Sequence, residues 1–188
     1  MSTEESDPSN SVVSMLMNTS RGMANWYVGL GMLGIFLALL NIFGYIHPNY
    51  HLSWGGLLTF EITNAAFEPK STSTQFVLSD VVFIGLCVAI SALGFRTIGK
   101  DETGLNGWFK GLFINDTWPA LVDPENGGWN KLFGAWSLLL GIVFYFFYGI
   151  VYSGWIDIGV YSVSIALIAF GLALLMAAKA PEGNDNLD

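Results

Sequence analysis

The sequence predicts an all-α integral membrane protein: a four-transmembrane-helix bundle with a short cytoplasmic interfacial helix. Three observations predict it. Four apolar stretches, at about 26–46, 76–95, 132–152 and 156–178, each come close to the ~20 residues that cross ~30 Å of hydrocarbon. Charged residues are only 12% of the 188-residue chain and hydrophobic residues 53%, where a soluble domain carries about 25% charge. The cations, finally, gather on one side of the four stretches. A soluble helical core with four such runs would leave too little polar surface for a domain of this size.

Three parts follow along the chain. Residues 1–25 read as a disordered acidic tail, with Glu4, Glu5 and Asp7 near its start. Residues 26–178 form the membrane domain, and 179–188 a second acidic tail carrying Glu182, Asp185 and Asp188. No basic segment leads into a short apolar run at the start, so the first span is expected to act as its own insertion signal. The seven cations are Arg21, Lys70, Arg96, Lys100, Lys110, Lys131 and Lys179. With four spans, every one but Lys70 falls on the side shared by the two termini and the second loop. That bias places both termini in the cytoplasm.

Span one opens with Trp26 and Tyr27 and closes at Tyr45, rings suited to the headgroup level. Its one strongly polar side chain well inside the span is Asn41, expected to serve as interhelical glue. Span two begins beside Ser79 and Asp80, and span four follows Asp157. Both acids suit the capping of a helix N-terminus better than a proton relay. Trp129 precedes span three, and Tyr152 and Trp155 mark its far end. Trp136, one turn inside, is expected to pack between helices. Only Ser153, Gly154 and Trp155 join spans three and four, which demands an antiparallel hairpin. The run Phe144, Tyr145, Phe146, Phe147 and Tyr148 surrounds its helix, so some of these rings must face lipid or a partner.

Small residues recur at helical spacing: Gly85, Ala89 and Ala92 in span two, Gly134 and Gly141 in span three, and Ser162, Ala166, Ala169 and Ala173 in span four. Such stripes let helix backbones approach closely in lipid and are the expected packing faces. In the second loop, Leu105, Trp108, Phe109, Leu112 and Phe113 fall at i, i+3, i+4, i+7 and i+8, one apolar face of a helix lying in the membrane interface. Pro119, Pro124 and the Gly127–Gly128 pair then mark an irregular return to the membrane. The first loop alternates Leu58, Phe60 and Ile62 with Thr59, Glu61 and Thr63, a hint of a short strand.

Chemistry is sparse. Histidine occurs only as His47 and His51. An i, i+4 pair binds zinc or copper if the backbone is helical, with Glu61 or Glu68 adding a carboxylate. Cys87 is the sole cysteine, so no intrachain disulfide forms. No span holds a histidine for haem or a lysine for a Schiff base, and ionisable groups stand only at span edges. Phosphate-binding, dinucleotide and zinc-peptidase motifs are absent. A net charge of −8 without a basic patch argues against nucleic acid as a partner. The function expected is a non-catalytic accessory subunit of a larger membrane complex, of respiratory or monooxygenase type, with the bilayer, bound lipid and other membrane subunits as partners. The alternatives are a homo-oligomeric channel or transporter for small solutes, and a metal-binding oxidoreductase subunit using the outer-loop histidines.

Overall fold

The computed structural model describes residues 19–70, 76–123, 125 and 127–179. Of the expected acidic tails, residues 1–18 and 180–188 fall outside the described residues, while residues 21–25, expected as disordered tail, form the first turn of a helix. In chain order the elements are α1 (Arg21–Ile42), β1 (Tyr50–Leu52), α2 (Trp54–Leu58), β2 (Phe67–Pro69), α3 (Leu78–Ile98), α4 (Gly104–Phe113), a 3-10 turn at Pro119–Leu121, α5 (Gly128–Tyr152) and α6 (Ile158–Ala177). The two strands pair as a small ribbon. Helices α1, α3, α5 and α6 are each long and apolar enough to cross a membrane, which marks a multi-pass integral membrane protein. The chain divides into two compact units, Met1–Phe43 with Leu52–Gly111 and Gly44–His51 with Leu112–Asp188.

The first unit is built on an antiparallel pair, α1 against α3. Gly31 of α1 lies so close to α3 that a methyl group there would stand 2.6 Å from the Cys87 carbonyl oxygen. Farther along, a methyl on Gly94 would stand 2.7 Å from the Ala24 carbonyl oxygen. The contact stripe on α1 runs through Ala24, Val28, Gly31, Gly34, Ala38 and Asn41. On α3 it runs through Asp80, Cys87, Ser91, Gly94 and Ile98. In lipid the hydrophobic effect gives helices little reason to associate, so backbone approach at small residues supplies the dispersion contact instead.

Local chemistry sets the ends of these helices. Ser20 Oγ accepts from the Met23 amide at 3.3 Å, which starts α1 five residues before the apolar pattern does. Asp80 Oδ2 accepts from the Val77 amide at 3.0 Å and so caps α3 from its third position. At the other end of this unit, α4 is tied back to α1. Trp108 Nε1 donates to Asn25 Oδ1 at 2.9 Å, its ring meets Phe95 edge-on, and Arg21 pairs with Asp101 at 3.1 Å. Leu105 and Phe109 stay exposed on α4.

The second unit is the hairpin of α5 and α6. A methyl on Gly171 would stand 2.7 Å from the Leu138 amide nitrogen and 2.8 Å from the Gly134 carbonyl oxygen. Ser137 Oγ donates to the Leu167 carbonyl at 2.8 Å. The turn is tight: Ser153 adopts a left-handed backbone and the Gly154 amide returns to the Tyr148 carbonyl at 3.1 Å. Tyr145 donates to the Trp155 carbonyl at 3.1 Å, and the Trp155 indole covers Gly149. Asp157 Oδ1 caps α6 by accepting from the Val160 amide at 3.0 Å.

Several placements add to or differ from the sequence reading. Trp155 is buried in the turn that joins the two helices. Trp136 lies outside the contact of α5 with α6, its indole donating to the Leu121 carbonyl at 3.0 Å in the 3-10 turn. Leu58, Phe60 and Ile62 form no strand. Ser53 caps a short helix instead, its Oγ accepting from the Gly56 amide at 3.2 Å, and the chain then turns sharply at Phe60 and Glu61. Gly134 and Gly141 face α6. Gly85, Ala89 and Ala92 point away from α1, and Ser162, Ala166, Ala169 and Ala173 away from α5. Ser162 can face outward because its hydroxyl donates to the Ile158 carbonyl of its own helix at 2.7 Å.

Candidate functional site

Polar chemistry in the first unit concentrates where α1 ends and α3 begins. Asn41 is fully buried at the last turn of α1. Its side-chain amide pairs with one backbone residue as a neighbouring strand would: Nδ2 donates to the Leu52 carbonyl at 2.7 Å, and Oδ1 accepts from the Leu52 amide at 2.8 Å. Asp80, also fully buried, presents Oδ1 to Asn41 Nδ2 at 3.5 Å while its other oxygen caps α3. This cluster holds the returning loop against both helix ends. Every polar atom of Asn41 and Asp80 faces a group inside the unit, which makes the cluster a structural lock.

A second network continues outward from it. The Ser53 amide donates to the Ala66 carbonyl at 2.9 Å. Asn64 donates to Ser53 Oγ and to Glu68 at 3.2 Å. Thr59 and Thr63 share a hydroxyl hydrogen bond of 2.9 Å, and Glu61 Oε1 accepts from the Ala66 amide at 3.0 Å. The segment from Ser53 to Glu68 is therefore internally ordered. Trp54 stacks on Phe83 of α3, with centroids 3.7 Å apart and planes 4° from parallel.

The histidines do not sit on one helical turn. Pro48 and Asn49 favour a turn here, and the Asn49 amide donates to His47 Nδ1 at 3.2 Å while the His47 ring stacks on Tyr50. His51 instead lies in β1. It is only 5% exposed, and neither ring nitrogen has a hydrogen-bond partner. Glu61 is occupied by Ala66, as above. Among the described residues no group of three or more His, Cys, Asp or Glu is placed to share an ion.

The second unit contains a cavity of about 270 Å³. It lies at the start of α5 and the end of α6, lined by Asn115, Asp116, Thr117, Lys131, Leu175 and Lys179. Gly127 lines it too, with a positive φ of 116°, a backbone that side chains rarely adopt. Asn115 Oδ1 accepts from the Thr117 amide at 2.8 Å and shapes the neighbouring turn. Two ammonium groups and one carboxylate thus border a mixed polar and apolar recess.

Sequence reasoning did not anticipate the Asn41–Leu52 pairing, the burial of His51 or the Trp54–Phe83 stack. One signal did point toward the first: Asn41 and Asp80 are the polar groups nearest the ends of two spans joined by one loop. Comparisons of the chain with family models, with curated proteins and with solved structures found no match in any of the three.

Proposed function

We propose that the protein is a non-catalytic accessory subunit of a larger membrane complex, its four spans gathered into one bundle with α4 and both termini on the cytoplasmic side. The observation that carries this reading is the second small-residue face on each hairpin. Gly85, Ala89 and Ala92 on α3 lie outside the contact with α1 and remain exposed. The same holds for Ser162, Ala166, Ala169 and Ala173 on α6 with respect to α5. In lipid, faces of this kind draw further helices into close contact. Exposed Phe146 and Phe147 add bulky apolar surface on α5. The orientation is supported by the cation bias, and the interfacial placement of α4 by its exposed Leu105, Phe109, Leu112 and Phe113.

Gentle detergent extraction followed by native mass spectrometry tests the reading. The expected result is the 20.5 kDa chain in a heteromeric assembly. Recovery only as a homo-oligomer would overturn it and favour a channel or transporter.

A further inference from the structure

The turn after α2 carries a backbone cost that its two most exposed side chains do not offset within the chain. The Glu61 amide donates to the Gly56 carbonyl at 2.7 Å, and the Phe60 amide to the Leu57 carbonyl at 3.3 Å. These are the two bonds that close a helix through a left-handed residue, a position glycine usually takes because it has no Cβ to clash. Here the position is held by Phe60 at φ 52°, followed by Glu61 at φ 63°. Two consecutive side chains in left-handed backbone cost free energy that glycine would not. Phe60 is nevertheless 90% exposed and Ile62 84%, so neither recovers that cost by packing within the chain.

Position supplies the missing contact. Helix α2 lies along the first two turns of α3: a methyl on Gly55 would meet Ser79 Cβ at 3.3 Å, and Trp54 stacks on Phe83. From Ser79 to Phe83 is about 6 Å along the axis of a spanning helix, comparable with the ~5–8 Å thickness of one headgroup layer. The helix that leads into the turn is thus held beside the first turns of a span. Leu57 and Leu58 are exposed on the same short helix. The one charge in the turn, Glu61, has one carboxylate oxygen turned back onto the Ala66 amide, and the Phe60 and Ile62 side chains stay exposed on either side of it.

We propose that Phe60 and Ile62 form a lipid hook, a strained turn that dips two apolar side chains into the boundary between headgroups and acyl chains and anchors the α1–α3 loop to the bilayer. This rests on the spans crossing a membrane and is independent of the subunit reading. The occupant is lipid because the tip presents two apolar side chains, Phe60 and Ile62, and follows a helix packed against the first turns of a span.

The test uses the full chain in phosphatidylcholine vesicles. In a Cys87→Ala background, Phe60→Cys, Ile62→Cys and Lys70→Cys each carry an environment-sensitive fluorophore, and acyl chains brominated near the headgroup act as quencher. Labels at 60 and 62 are expected to shift to the blue and lose most of their emission, while the label at 70 keeps its emission. Hydroxyl-radical footprinting of the unsubstituted protein in unbrominated vesicles gives a second reading that needs no variant. Phe60 is expected to be oxidised several-fold more slowly than its exposure in the isolated chain implies. A label at 60 no more quenched than the one at 70, or ready oxidation of Phe60 in vesicles, would overturn the proposal. Protection in native membranes that is lost in vesicles of the purified protein would overturn it too, and would assign the tip to a protein partner.

Discussion

Replacing Asn41 with leucine removes two short hydrogen bonds, to the Leu52 amide and carbonyl, from a fully buried position. Leu52 is itself buried, so both backbone groups lose their partners away from water. Each such loss costs about 1–3 kcal/mol, which bounds the effect at about 2–6 kcal/mol. Two terms pull it toward the lower end. Leucine is favoured over asparagine in an apolar span, and a chain unfolded within the membrane also finds partners for its polar groups. We expect a loss of about 2–3 kcal/mol, equivalent to a rise of about 30- to 160-fold in amide exchange at Leu52 and Ser53. Hydrogen exchange read by mass spectrometry reports the loop, and unfolding in mixed micelles followed by circular dichroism reports the unit. An Asn41→Asp variant keeps the acceptor for the Leu52 amide but loses the donor and sets a second carboxylate beside Asp80, so it is expected to be at least as damaging. Exchange within about threefold of wild type in Asn41→Leu, well under 1 kcal/mol, would refute the idea that Asn41 locks the loop.

Four further outcomes follow from the contacts. Gly171→Val forces a side chain against the backbone of α5 and is expected to destabilise the α5–α6 hairpin by about 3 kcal/mol in a micelle unfolding assay. Gly85→Ala, with nothing near the new methyl, should be neutral or gain up to about 1 kcal/mol, whereas Gly85→Leu should leave the isolated chain intact and reduce its recovery in a native assembly. Trp108→Ala removes both the bond to Asn25 and the ring contact with Phe95 and should free α4 to exchange at least tenfold faster. Arg21→Gln, breaking an ion pair whose side chains are 57% and 30% exposed, should change stability by only about 0–0.5 kcal/mol. For orientation, an impermeant amine reagent added outside sealed cells should reach Lys70 and spare Lys100 and Lys110, and the reverse pattern would invert the topology.

The four spans were legible because lipid imposes a composition, and composition survives without any knowledge of neighbours. The helix starts were legible wherever a cap is written in one residue, as at Asp157. The packing faces were harder for a physical reason. Gly and Ala are common all around membrane helices, so a stripe of small residues identifies a face that can pack without saying which partner it meets. On α3 the choice is settled by polar groups. Asp80 has to reach Val77 and Asn41, and turning Gly85, Ala89 and Ala92 toward α1 would swing Asp80 out toward lipid, where a carboxylate is costly. The contact therefore falls on Cys87, Ser91 and Gly94, and the Gly85 stripe is left outside it.

The same reasoning explains why the outer segment misled a pattern-based reading. Alternation of Leu58, Phe60 and Ile62 with polar residues is the signature of a half-buried strand, but only if one face has a sheet or core to bury against. In this chain the anchors lie before, within and after that run: Asn41 holds Leu52, Trp54 stacks on Phe83, and Glu61 accepts from the Ala66 amide. Between them Trp54–Leu58 forms α2, which closes through the left-handed Phe60 and Glu61. The apolar residues that would have formed a strand's buried face are turned outward as a result. An apolar alternation that fails to become a strand is thus informative, since it shows where the chain has apolar side chains to offer to something beyond itself.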